Sequence, residues 1–195
     1  LTDCPHREKL GWLEQNQLNA LTVFYNRDAV TLYEKMVRDI SDTQKPDGMV
    51  PGIAPEYVQF LNADGSDAAA RNSPEWGGAV VLAPWPAYRQ YGDPKILRDA
   101  WPAIQLYADY LESRAQDHII DFGLGDGYDY APDGKLGASQ LTSRALTGTA
   151  TYFQVLDTCA KIARVLGRPA DNYHRRAAEV RDAFNALFFN PDTGS

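Results

Sequence analysis

The 195 residues carry 19 Lys and Arg against 26 Asp and Glu, a net charge of −7, with 44% hydrophobic and 23% charged residues. The acidic balance argues against nucleic acid and an anionic membrane surface as partners, and the composition excludes disordered, collagen-like and coiled-coil chains. No run approaches the ~18 to 20 uninterrupted apolar residues of a membrane span, no basic start followed by an apolar run marks a signal peptide, which says little in a chain that opens with Leu1, and Cys4 and Cys159 are too few for a disulfide framework, which leaves the compartment open.

Apolar residues recur at helical spacing through most of the chain, which predicts an all-α fold. Helices are expected near 10–25, 28–44, 76–91, 94–115, 143–167 and 170–188, with long loops near 45–74 and 116–142 that are rich in Gly, Pro, Asp and Asn. Ahead of the first helix stands Thr2-Asp3-Cys4-Pro5-His6-Arg7-Glu8-Lys9-Leu10-Gly11-Trp12-Leu13-Glu14-Gln15. Carboxylates bind sugar hydroxyls or move protons, and an aromatic face covers the apolar side of a sugar ring, so Asp3, Arg7, Glu8 and Trp12 together suit a carbohydrate site. The same residues also make an ordinary helix start, with Asp3 as cap and Glu8 near the positive helix end.

The first and second helices are joined by Tyr25-Asn26-Arg27-Asp28, the third and fourth by Tyr91-Gly92-Asp93-Pro94, and the fifth and sixth by Leu166-Gly167-Arg168-Pro169. Each places Gly or Asn where a helix ends and Asp or Pro where the next begins, so the unit is a helical hairpin repeated three times. The third helix follows Arg71-Asn72-Ser73-Pro74-Glu75-Trp76-Gly77-Gly78. Asn72 or Ser73 as cap and Pro74 in the first turn account for much of this run and leave Trp76 over, a candidate ligand contact together with Glu75, which would line the same mouth. Gly77 and Gly78 disfavour helix by ~1 kcal/mol each, which implies a close approach there. Before the fifth helix lies Gly123-Leu124-Gly125-Asp126-Gly127-Tyr128-Asp129-Tyr130, a turn that also offers Asp126, Tyr128 and Tyr130.

The stretch from Trp76 to Tyr91 has one charge, Arg89, and that from Ala145 to Tyr152 has none, whereas Asp93–Arg114 and Asp171–Arg181 are charged throughout. Helices apolar all round are buried and those with a charged stripe face water, so inner and outer helices alternate. Three such hairpins make about half of an (α/α)6 toroid. Half a toroid leaves inner-helix surface open, so the chain is expected to be incomplete, its partner being the remainder of the same chain. Parallel inner helices would gather the three clusters on one rim, forming an acidic, aromatic funnel. His6, His118 and His174 lack metal-ligand spacing, with His174 expected on a wet face, and Asp121, Asp126, Asp129 and Asp133 lack the spacing of a calcium loop, so neither metal nor cofactor is expected. Cys4 and Cys159 read as small packed residues.

Asp3-Cys4-Pro5-His6-Arg7-Glu8-Lys9-Leu10-Gly11-Trp12 closely resembles the motif of family 78 glycoside hydrolases, the α-L-rhamnosidases, written DCPxRxExLGW with minor length variation. The likeness continues through Ile53-Ala54-Pro55-Glu56-Tyr57, Ser73-Pro74-Glu75-Trp76-Gly77, Gly123-Leu124-Gly125-Asp126 and Phe188-Phe189-Asn190, nearly the whole chain. The resemblance implies that residues 1–195 are part of a catalytic (α/α)6 barrel, lacking upstream domains and its C-terminal part. It further implies removal of terminal α-L-rhamnose with inversion, from a rhamnosyl glycoside or a rhamnose-containing polysaccharide. On the matching positions Glu8 would be the general acid, Asp3 and Arg7 would meet rhamnose hydroxyls, and Trp12 and Trp76 would form the aromatic walls. The general base would come from the later half of the barrel.

Two positions depart from the family pattern. Gln15 stands where an acidic residue is common, with Glu14 beside it, and Gly127 replaces a loop tryptophan. An amide still bonds a hydroxyl but brings no charge, so a related barrel glycosidase of different sugar specificity is one alternative reading. A non-catalytic carbohydrate-binding toroid is another, and a helical-repeat scaffold ranks last. A general acid must hold its proton near neutral pH, which Asp3 and Glu14 beside Glu8 could favour.

Overall fold

A computed structural model describes residues 5–127, 129 and 139–194. The described chain forms α1 (Leu13–Leu18), α2 (Ala20–Asn26), α3 (Val30–Thr43), α4 (Pro74–Gly77), α5 (Ala79–Leu82), α6 (Pro84–Tyr91), α7 (Lys95–Arg114), α8 (Arg144–Val165) and α9 (Asp171–Phe188). The only β pairing among these residues is three isolated bridges, Trp12 with Ile53, Leu61 with Asp67 and Gln116 with Ile119.

The six expected helices are present, but two are segmented. The first bends at Asn19 between α1 and α2, and the third is α4, α5 and α6 in succession, interrupted at Gly78 and Ala83. Gly78 weakens the helix, and Ala83 precedes Pro84, whose ring disfavours helical backbone in the residue before it and removes a backbone donor. The third hairpin turn shows how the end signals act. Gly167 takes φ 65°, its N–H reaches the Arg164 carbonyl at 3.1 Å and the Arg168 N–H reaches that of Ala163 at 2.8 Å, closing α8 with paired bonds. At the other end of α8, the Ser143 hydroxyl accepts from the Ala145 N–H at 3.2 Å.

Packing sorts the helices into two layers. α1 packs on α4 and α5, α2 on α6, and α4 and α5 on α8, while α3, α7 and α9 lie outside them and α3 packs on α7. Buried tyrosines connect the layers. The Tyr33 hydroxyl of α3 donates to the Asn16 carbonyl of α1 at 2.9 Å, and its ring lies 4.4 Å from that of Phe24 in α2. Tyr107 of α7 is fully enclosed against α4, and a Cβ on Gly77 would lie 2.6 Å from its hydroxyl. The close approach expected at Gly77 is therefore made by a core tyrosine of the outer layer. Cys159 is packed within α8 at 0% exposure, and burial pushes its thiol up.

The outer faces carry i,i+4 pairs such as Lys95–Asp99 at 2.6 Å and Arg175–Glu179 at 2.7 Å, the solvated stripe expected of outer helices. His174 departs from expectation, because its Nε2 is enclosed although it lies on α9. Apolar surface is open on the inner flank: Leu18, Leu21 and Tyr25, a stripe along α1 and α2, are 69%, 45% and 76% exposed. No helix among the described residues is long and apolar enough to cross a membrane.

Candidate active site

The segment before α1 is clasped by the loop of residues 52–57. The Leu13 N–H donates to the Gly52 carbonyl at 3.0 Å and the Ala54 N–H donates to the Gly11 carbonyl at 3.1 Å, while the Tyr57 hydroxyl donates to the Lys9 carbonyl. The strands approach so closely that a Cβ on Gly11 would sit 2.5 Å from the Ala54 oxygen. Lys9 is held at φ 58°, a left-handed conformation that costs a non-glycine residue ~1 to 3 kcal/mol and persists only where surrounding contacts impose it.

Glu8 precedes this strained residue. Its side chain is 26% exposed, Trp12 Nε1–H donates to Oε2 at 2.7 Å, and Arg7 Nη2 donates to Oε1 at 3.0 Å. The Trp12 ring is braced on Phe60, with centroids 5.3 Å apart and planes 20° from parallel. Both carboxyl oxygens of Glu8 thus have fixed partners at the entrance to the first inner helix, with one edge of the group open to solvent.

A second acidic group lies six residues further on, in the first turn of α1. Glu14 is pushed up to about 6, first by burial and then by the neighbouring charges of Glu75 and Asp126. Glu75 is fixed by its own turn: Ser73 Oγ donates to Glu75 Oε2 at 2.8 Å, and Gln17 Nε2 donates to the Glu75 carbonyl at 2.6 Å. Ser73 Oγ also accepts from the Leu124 N–H at 2.9 Å, tying the Gly123–Asp126 turn to the start of α4. Ser73 occupies the N-cap position of α4, yet its hydroxyl makes these two contacts in place of a cap bond. Among the described residues, Gln15 Oε1, Gln17 Oε1 and Glu75 Oε1 are enclosed with no hydrogen-bond partner. Acceptors of this kind suit hydroxyl donors.

The three expected loop clusters therefore meet: Glu14 from α1, Glu75 from α4 and Asp126 from the turn ahead of α8 lie within reach of one another's charge, with Arg7, Glu8 and Trp12 at the entry to α1 and Gln15 beside Glu14 in the chain. Trp76 corrects the expectation of an aromatic wall. It is 7% exposed and belongs to the hydrophobic core, because it follows Glu75 by one residue on a helix, where successive side chains diverge by about 100°. Asp3, Cys4, Tyr128 and Tyr130 lie outside the described residues. The sequence reading assigned no role to Gln17 or Phe60; their signal was position alone, Gln17 one turn beyond Glu14 and Phe60 in the loop carrying the Pro55-Glu56-Tyr57 run. Among the described residues no group of three or more His, Cys, Asp or Glu is arranged to hold a metal ion.

Raised above the ordinary 4.5, Glu14 binds its proton more tightly in the folded than in the unfolded protein. Its contribution to stability is full below the unfolded value and declines as the pH rises through about 6. Glu14→Gln removes that decline. In thermal melts the variant should unfold at a higher temperature than the parent at neutral pH and level with it near pH 4.5. Equal melting at neutral pH would refute the shift.

The whole chain, residues 1–195, matches the family model described as bacterial alpha-L-rhamnosidase 6 hairpin glycosidase domain. It is 30% identical over 193 residues to an alpha-L-rhamnosidase of Streptomyces avermitilis, covering 98% of this chain and 17% of that protein. The crystal structure of a Streptomyces avermitilis alpha-L-rhamnosidase complexed with L-rhamnose superposes with a TM-score of 0.80 at 28% identity, over 95% of this chain and 16% of that one. The alpha-L-rhamnosidase of Dictyoglumus thermophilum superposes with a TM-score of 0.83 at 28% identity, over 97% of this chain and 20% of that one. The chain thus spans at most a fifth of the length of these relatives.

Proposed function

Because the chain belongs to the bacterial α-L-rhamnosidase six-hairpin glycosidase family, we propose that it forms part of the catalytic barrel of an enzyme that hydrolyses terminal α-L-rhamnosides with inversion. The observation that carries the reading is the Glu8 carboxyl, held between the Trp12 indole and the Arg7 guanidinium on the flank of an acceptor-rich rim. Glu8 acts as general acid, giving its proton to the glycosidic oxygen as the bond to the anomeric carbon breaks. Arg7, Glu14, Gln15, Glu75 and Asp126 bind rhamnose hydroxyls, assisted by Asp3, and Trp12 supplies the aromatic face, with Tyr128 and Tyr130 as further sugar contacts.

Inversion requires a second carboxylate ~6.5 to 9.5 Å from the acid, so that a water fits between it and the sugar. Glu14, Glu75 and Asp126 belong to the hydroxyl-binding rim in this reading, and the base comes from the remainder of the enzyme chain. With that part absent, the 195 residues alone are inactive. The full-length enzyme that contains this chain should release rhamnose from p-nitrophenyl α-L-rhamnoside, and proton NMR of early product should show the β anomer first. The α anomer first would overturn inversion. Hydrolysis of glucosides or uronides in place of rhamnosides would move the reading to a related glycosidase, and rhamnose binding without turnover would make the toroid a binding module.

A further inference from the structure

The loop that clasps Glu8 is itself anchored by a buried charge. Glu56 lies in this loop with its side chain only 4% exposed. Its Oε1 accepts from Arg71 Nε at 2.5 Å and its Oε2 from Arg71 Nη2 at 3.1 Å, a two-pronged pairing, and Lys45 Nζ completes it at 2.5 Å. Arg71 is further held by Asp67. The backbone of Arg71 continues the connection, since its carbonyl accepts the Gly52 N–H at 2.9 Å, and the Gly52 carbonyl accepts the Leu13 N–H. One residue from Glu56, Tyr57 holds the carbonyl of strained Lys9. Both ends of the Lys9–Leu13 segment, which follows Glu8 directly, are therefore pinned by this loop and by Arg71, the partner of Glu56.

We infer that Glu56 is a positioning residue for proton donation: clamped by Arg71 and Lys45, it holds the 52–57 loop so that the strained Lys9 turn and the Trp12 indole aim the Glu8 carboxyl. Burial works against a charged Glu56, and the hydrogen bonds from Arg71 and Lys45 overcome it, so the carboxyl stays below its ordinary range and the clamp remains ionised. A carboxylate enclosed this far from solvent, with two cations spent on it, is a costly way to fix a surface loop. The loop's contacts converge on the segment that carries the acid.

The inference rests on Glu8 being the acid, and leaving-group dependence separates the two claims. In the full-length enzyme, Glu56→Gln, Tyr57→Phe and Glu8→Gln are compared on methyl α-L-rhamnoside, whose leaving oxygen needs a proton, and on 2,4-dinitrophenyl α-L-rhamnoside, whose leaving group departs without one. Glu56→Gln should lower kcat on the methyl glycoside by about 10- to 100-fold while changing KM and the dinitrophenyl rate by less than about threefold. Tyr57, 60% exposed, tolerates loss of its hydroxyl without unfolding, and Tyr57→Phe should shift the same ratio by about 3- to 10-fold. Equal loss on both substrates, or no loss, in a Glu56→Gln enzyme with an unchanged circular dichroism spectrum would overturn the inference. Should Glu56→Gln not fold, an unaltered ratio in Tyr57→Phe does so. If Glu8→Gln itself shows no leaving-group dependence, the assignment of the acid fails first and the inference falls with it.

Discussion

Replacing Glu8 by Gln in the full-length enzyme lowers kcat for an unactivated α-L-rhamnoside by about 10²- to 10⁴-fold, the share that a positioned acid contributes. The substitution is nearly isosteric. The amide oxygen can still accept from Trp12 Nε1–H, which now bonds Oε2 at 2.7 Å, so the ring on Phe60 and the turn at Lys9 keep their places. What is lost is a group able to hold and release a proton at the glycosidic oxygen. An interaction needed only as the bond breaks lowers kcat and kcat/KM together and leaves ground-state binding in place. Titration calorimetry with rhamnose should therefore return an affinity within about threefold of the parent, because the hydroxyl-binding acceptors are untouched. Retained turnover of the methyl glycoside would remove Glu8 from the acid's role.

Much of this arrangement was legible in the sequence because it depends on local signals. Hairpin ends are written in Gly92 and Gly167, and layer assignment in the contrast between Trp76–Tyr91 and Asp93–Arg114. The convergence of Glu14, Glu75 and Asp126 followed from the inner helices starting at a common rim. What was not legible depends on direction and distance. In sequence, an aromatic such as Trp76 beside an acidic motif residue reads the same whichever way it points; the turn from Glu75 to Trp76 sends it into the core. Glu56 sits in a loop without periodicity, and its cations are 11 and 15 residues away, so nothing local marks it as buried. His174 was assigned to a wet face from the charges around it, and the packing of α9 encloses its Nε2.

Arg176→Ala should destabilise the helical layers by about 2 to 3 kcal/mol while leaving kcat at ambient temperature unchanged. Arg176 is the charged residue of α9 that faces inward, with a side chain 3% exposed. Its Nη2 donates to the Ala108 carbonyl at 2.6 Å and lies 3.1 Å from Glu112, its Nη1 meets Asp109 at 3.2 Å, and its charge is coupled to Tyr152 of α8. One guanidinium thus ties α9 to α7 beside Tyr152 of α8, and burial, which disfavours its charge, is outweighed by Tyr152 and the two carboxylates. The loss is smaller than for a fully buried ion pair, because Asp109 and Glu112 are 70% and 54% exposed and return to water once unpaired. The remainder is the packing of the aliphatic stem and the bond to the Ala108 carbonyl. Arg176→Met keeps most of that stem and should cost less than half as much. At about 2 to 4 °C per kcal/mol, the alanine variant's melting transition should fall by about 5 to 10 °C and the methionine variant's by less. The leaving-group ratio that reads Glu8 should stay unmoved in both variants, since this junction ties the outer helices α7 and α9 together beside α8 while the clasp around Glu8 is made by the 52–57 loop. A shift in that ratio would mean that the outer layer helps to aim the acid, and the division between scaffold and site drawn from these contacts would have to be redrawn.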